Sequence, residues 1–216
     1  MAPTLVIGNK AYSSWSLRPW LLMSHCGIAF DEVRIPLYAQ DSGARIRLYS
    51  AAGKVPVLID GTTTVWDSLA ICEYLAETHP EKRLWPMDRA ARAQARSISA
   101  EMHAGFAALR NHMPMNVRRS LPGRGRAPEV MKDVERVISI WNDCRSRHAA
   151  VGPFLFGDFS IADAMFAPAV ARLQTYQVEL AGAAREYAGT ILALPAMQRW
   201  YREALAEPET VAEYEP

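Results

Sequence analysis

The feature that most limits what this chain can fold into is a change of hydrophobic period near Pro80. Before it, short runs of branched and alternating residues are interleaved with helical stretches. After it, every apolar pattern has the helical period. Residues 4–8 read as a buried strand and 30–37 as a second, where aromatic and branched residues alternate with charges. Between them, residues 15–26 place Leu17, Trp20, Leu21 and Leu22 at helical spacing and stop at Gly27, a natural helix terminator. Residues 55–60, a tight turn at Gly61 and residues 62–66 predict a hairpin. A helix from Asp67 to about Thr78 closes the unit, with Leu69, Ile71, Cys72 and Leu75 as its apolar face. Residues 1–80 thus form an α+β domain, and residues 81–88, with Pro86 and several charges, read as a linker. Residues 89–216 read as an all-α bundle. One long helix is predicted over 89–113 and another after Pro128, with Val130, Val134, Val137, Ile138 and Trp141 on one stripe.

Composition excludes several partners. Of 216 residues, Lys+Arg total 24 and Asp+Glu 23, so no net field draws the molecule to nucleic acid or a membrane surface. Between Arg110 and Arg126 lie Arg118, Arg119 and Arg124 with no acidic residue, but Pro122, Gly123 and Gly125 make this a solvated loop. If that loop lies near a cleft, it would steer an anionic ligand. Glu207, Glu209, Glu213 and Glu215 likewise read as a solvated end. The three cysteines, Cys26, Cys72 and Cys144, fit neither a disulfide framework nor a metal set, which suits a reducing compartment. The apolar run 5–7 is cut short by Lys10, so neither a signal peptide nor a membrane span is expected, and a cytoplasmic location is.

Three segments of the first unit belong together: Ser13-Ser14-Trp15-Ser16-Leu17-Arg18-Pro19, Lys54-Val55-Pro56-Val57, and Asp67-Ser68-Leu69-Ala70-Ile71. In that order they resemble the glutathione-binding domain of cytosolic glutathione transferases of the serine type, with a motif like those of the zeta and tau classes. In the second unit, Phe159-Ser160-Ile161-Ala162-Asp163 has the form of a capping box with a hydrophobic staple, and the same box is a hallmark of the transferase bundle. Its role is structural. The resemblance implies a thioredoxin-like βαβ-α-ββα domain followed by a helical one. It also implies glutathione as cosubstrate with no permanently bound cofactor or metal, a small electrophile as second substrate, and a homodimer.

The chemistry follows from the thiol. At neutral pH a thiol of pKa about 8.5 is only a few per cent thiolate, so the protein must stabilise the anion. A hydroxyl donating to sulfur beside the free amides of a helix N-terminus does this. Ser13 opens the motif and is the first choice as catalytic hydroxyl, Ser14 the second, while Ser16 is read as the helix cap. Pro19 is harmless only in a first helical turn, which predicts a helix beginning near Trp15 or Ser16. Serines at both 13 and 16, the spacing of a redox Cys-x-x-Cys pair, exclude dithiol exchange. By the resemblance, Pro56 follows a cis bond that presents the backbone of Val55 to the cysteinyl part of glutathione; a proline at a strand start is the plain alternative. Lys54 is expected to reach the glycyl carboxylate. Asp67 and Ser68 are expected to hold the γ-glutamyl end, against the alternative of a simple helix cap. By the resemblance the electrophile site lies between the domains, against the first helix of the bundle, with Met102, Phe106 and Met113 as candidates for its apolar wall and His103 and Arg110 as polar contacts. A Met and aromatic stripe at this spacing is more often core, which is the plain alternative.

Two other functions fit the same motifs. One is a zeta-like maleylacetoacetate isomerase, in which glutathione adds to a double bond, allows rotation and leaves. Against it, the class's cysteine after the paired serines is Trp15, and its substrate-binding arginine falls at Thr175; Arg172, one turn earlier, stands on the same helix face. The other is a non-catalytic binding or stress protein on this fold. A complete set of Ser13, Val55, Pro56, Asp67 and Ser68 speaks against it, because a scaffold has no need of a thiolate donor beside a peptide site.

Overall fold

The structure is a computed structural model, and it describes residues 2–215, except for the side chain of Glu213. Four strands form one sheet in the order β2-β1-β3-β4: β1 (Thr4–Ile7), β2 (Asp31–Arg34), β3 (Val57–Asp60) and β4 (Thr63–Trp66). β1 runs parallel to β2 and antiparallel to β3, and β3 and β4 form the expected hairpin with Gly61 at φ 58°. Strand alternation divides the sheet's two faces. Leu5, Ile7 and Leu58 join the main core with α1 (Ser14–Cys26) and α3 (Ser68–Thr78). Val6 and Val57 form a small second cluster with Ile35 and with Ile46 of α2 (Ser42–Arg47). The first unit is therefore β1-α1-β2-α2-β3-β4-α3, the thioredoxin-like order.

The remaining helices are α4 (Arg89–Ala104), α5 (Ala107–His112), α6 (Pro128–His148), α7 (Ile161–Thr175), α8 (Gly182–Ala193) and α9 (Pro195–Leu205). The single helix predicted over 89–113 is broken at Gly105. A Cβ there would lie 2.9 Å from the Glu101 carbonyl oxygen, and Phe106 follows with φ 62°. The break's carbonyls are taken by Arg110, whose Nε donates to Gly105 O at 3.0 Å and whose Nη2 donates to Met102 O. On α6, Val130, Val134, Val137 and Trp141 are buried as expected, but Ile140 rather than Ile138 completes the stripe.

The centre of the molecule is α7, apolar on almost every side and packed between α1, α4 and α8. Its start is the predicted capping box. Asp163 is fully buried and accepts the Ser160 amide at 2.8 Å, the Ser160 hydroxyl at 3.0 Å and the Leu155 amide at 3.0 Å. Because α1 packs on α3, α7 and α9 together, the helix that carries the serine motif is also the joint between the two halves. Trp20 of α1 meets Trp200 of α9 edge to face at 5.0 Å. The three cysteines are unpaired, and burial pushes the thiols of Cys26 up to about 11 and Cys144 up to about 12. Among the described residues no helix is long and apolar enough to cross a membrane.

Candidate active site

The loop after β1 delivers Ser13 to the N-cap of α1. Its Oγ accepts the Ser16 amide at 3.4 Å and its proton goes to Ser16 Oγ at 2.7 Å, while Ser16 Oγ also accepts the Gly8 amide at 3.1 Å. Ser13 is thus the cap, and the capping role expected of Ser16 is corrected. Ser16 instead ties α1 to the end of β1. The helix starts at Ser14, before the predicted Trp15 or Ser16, so Pro19 lies beyond the first turn and removes the amide that would have bonded the Trp15 carbonyl. Ser14 is the first helical residue and faces the other half of the molecule: its Oγ accepts from Arg172 Nη2 of α7 at 3.0 Å.

Two adjoining cavities meet at Trp15. The larger, about 630 Å³, is lined by Ser13, Ser14, Tyr38, Arg110, Arg172 and Tyr214 among others; the second, about 560 Å³, by Pro56, Trp66, Asp67 and Ser68. Trp15, Lys54 and Val55 line both. The Val55–Pro56 peptide is cis, as the motif implies. Asp67, with φ 77°, caps α3 through Oδ1, which accepts the Leu69 amide at 2.9 Å and the Ala70 amide at 3.4 Å. Its other oxygen lies 3.2 Å from His103 Nε2. Ser68 is buried, and its Oγ accepts from Arg18 Nη1 at 3.2 Å, which leaves the hydroxyl proton available to an anion.

Several residues expected at the electrophile site stand elsewhere. Met102, Phe106 and Met113 are buried in the core and line neither cavity: Met102 packs inward from α4 ahead of the break at Gly105, and Phe106 and Met113 follow it. Asn111, Pro114 and Met115 line the larger cavity beside Arg110. His103 reaches Asp67 and the edge of Trp15, at 5.3 Å between centroids, and burial lowers its pKa.

The electrostatics of the site come from three arginines. Arg18, Arg110 and Arg172 converge on the serine motif, with the first two guanidinium groups 4.3 and 4.8 Å from the Trp15 ring centre. Arg18 and Arg172 are almost wholly buried, and the Nε atoms of both have no hydrogen-bond partner among the described residues. Burial and the nearby Arg110 push Arg172 down to about 9 and hold Arg18 well below its ordinary value. Sequence reasoning overlooked Arg18. Its signal was a cation in phase with the apolar face of α1, four residues after Ser14 and four before Leu22.

Comparison with known proteins agrees with this fold. Residues 12–78 match the family model of the glutathione S-transferase N-terminal domain, and residues 89–203 match that of the C-terminal domain. The chain belongs to the glutathione S-transferase family. A rat protein named maleylacetoacetate isomerase is 31% identical over 183 residues, 82% of this chain and 81% of that one. A Caenorhabditis elegans protein named probable maleylacetoacetate isomerase is 31% identical over 109 residues, half of each chain. A solved Burkholderia glutathione transferase homolog with bound glutathione shares the fold, with a TM-score of 0.73 at 22% identity, covering 96% of this chain and all of that one. As a glutathione transferase, this chain works on a thiol brought by its substrate, consistent with its own three buried or half-buried cysteines standing outside the serine motif.

Proposed function

We propose that Ser13 stabilises the glutathione thiolate and that the arginine cluster selects an electrophile carrying a carboxylate. The Ser13 oxygen is anchored by the Ser16 amide while its proton can turn, and Ser16 Oγ stays paired with the Gly8 amide when that proton leaves it. The N-cap position also places Ser13 at the positive end of α1. Glutathione would lie across the second cavity. The γ-glutamyl end meets Asp67 and Ser68, the cysteinyl part meets Val55 beside Pro56, and the glycyl carboxylate meets Lys54.

The observation that carries the electrophile reading is Arg172, a buried cation on the cavity wall whose bonded partners among the described residues are Ser14 Oγ and the Pro168 carbonyl, neither of them a carboxylate. A buried charge without a counter-charge is costly, and an anionic substrate would neutralise it. The same residue favours the glutathione-dependent isomerase as a second reading. Thr175, where the zeta class has its substrate arginine, is committed to the Asn116 and Ala171 carbonyls, and Arg172 stands one turn earlier facing the serines. The two readings share an anionic substrate and differ in whether glutathione stays attached.

The test compares a carboxylate-bearing electrophile with its methyl ester. The wild type is expected to favour the acid by about tenfold or more in kcat/KM, the scale of one charge-assisted hydrogen bond, and Arg110→Gln and Arg172→Gln to reduce that preference. Equal rates on acid and ester would refute the anionic-substrate reading. Recovery of free glutathione with a rearranged product would select the isomerase. We further propose a cytoplasmic homodimer that needs no resident cofactor.

A further inference from the structure

The loop from Asn9 to Tyr12 has no regular structure, yet it decides where Ser13 sits: the Asn9 carbonyl accepts both the Tyr12 amide at 3.2 Å and the Ser13 amide at 2.8 Å. Each of these four residues is held by the chain after α9 or by α9 itself. Glu207 is buried and its two carboxylate oxygens accept the Lys10 amide at 2.6 Å and the Ala11 amide at 3.1 Å. The Lys10 carbonyl accepts Trp200 Nε1 at 2.8 Å, and Lys10 Nζ pairs with Glu203 as well as Glu32. Asn9 Nδ2 donates to Glu209 at 3.5 Å, and Tyr12 Oη donates to Glu215 at 2.5 Å while accepting the Val211 amide at 3.3 Å.

The segment is itself fastened at both sides. Arg118 donates to the Glu207 carbonyl at 2.9 Å and the Glu209 carbonyl at 2.8 Å, and Arg34 grips Glu209 with two bonds of 2.9 and 3.0 Å. The glutamates expected to form a solvated end are therefore structural, apart from Glu213, whose side chain lies outside the described residues. Arg118 and Arg119, expected in a solvated loop, bind this segment too, Arg119 through Glu215.

We infer that Glu207 is a positioning residue for thiol activation: the C-terminal segment is a strap that sets Ser13 in place by gripping the loop in front of it. This rests on the reading of Ser13 as the thiolate donor. Two adjacent buried amides in a loop need two acceptor atoms, and a single carboxylate supplies both. A carboxamide supplies one acceptor and turns a donor toward the other amide. A displacement of the loop is passed directly to Ser13 through the Asn9 turn, and hydrogen bonding to sulfur does not tolerate it.

The experiment titrates the thiol of bound glutathione by its ultraviolet absorbance in wild type, Glu207→Gln and Ser13→Ala, alongside kcat, glutathione KM and Tm. Glu207→Gln is expected to raise the bound thiol's pKa by about half to one unit and lower kcat at neutral pH by about fivefold. Glutathione KM is expected to stay within about twofold, since the peptide is held by other elements. A lower Tm with unchanged thiol pKa and kcat would make Glu207 a structural brace and overturn the inference. Glu209→Gln, at a more exposed attachment, serves should Glu207→Gln not fold. It is expected to shift the pKa in the same direction by less, and no shift overturns the inference equally. An unchanged pKa in Ser13→Ala would instead remove the serine reading beneath it, so the two failures are distinct.

Discussion

Asp67 is both a helix cap and a charge beside a cavity, and one substitution separates the two. Asn caps a helix as well as Asp and tolerates a positive φ, so Asp67→Asn should keep stability within about 0.5 kcal/mol of wild type. If the carboxylate attracts the ammonium of the γ-glutamyl end, the same variant should raise glutathione KM about tenfold, the worth of one charge-assisted hydrogen bond. Thermal unfolding and a glutathione titration measure the two effects independently. An unchanged KM would leave Asp67 as a cap alone. At this scale the sequence was most readable where a residue type is rare for its place: paired serines before a helix, Pro after Val55, Asp-Ser before an apolar run. Glu207 left no such mark. Its importance depends on two amides almost two hundred positions away, and a glutamate near a chain end looks like any other.

Among the elements, α7 is the one whose beginning was legible in full, because a capping box is a local device. Asp163→Ala removes the acceptor of two amides and a hydroxyl and should cost about 2 kcal/mol or more, read as a fall in Tm. Burial pushes the Asp163 carboxyl up to about 6 from its ordinary 3.8. The folded chain therefore binds a proton that the unfolded chain releases, so this group's contribution to stability is full below about 4 and is lost as pH rises toward about 6. Asp163→Asn does not titrate, and its Tm measured against that of wild type across this window should rise relative to it with pH. A constant difference between the two would contradict the sign. The break between α4 and α5 was not legible, since one glycine in a helical pattern is weak evidence. What turns the chain there is the close approach of Gly105 to the Glu101 carbonyl and the bonds from Arg110, all of them tertiary facts.

For the molecule as a whole, the change of period at Pro80 already implied an α+β unit followed by a bundle. It could not show how tightly the second half grips the first. The serine helix packs on α7 and α9, Ser14 is bonded to Arg172, and the tail holds the loop before Ser13. The cationic site likewise depends on assembly, because Arg18, Arg110 and Arg172 come from three helices. The expected homodimer should sediment at twice the chain mass, and a monomer at micromolar concentration would set that expectation aside. The central claim, that a hydroxyl at the N-terminus of α1 stabilises the substrate's thiolate, is tested most directly by titrating bound glutathione in wild type and Ser13→Ala. The wild type should show a thiol pKa near or below about 7 against about 8.5 for the free thiol, and Ser13→Ala should raise it by one to two units. An unchanged pKa in Ser13→Ala would contradict it.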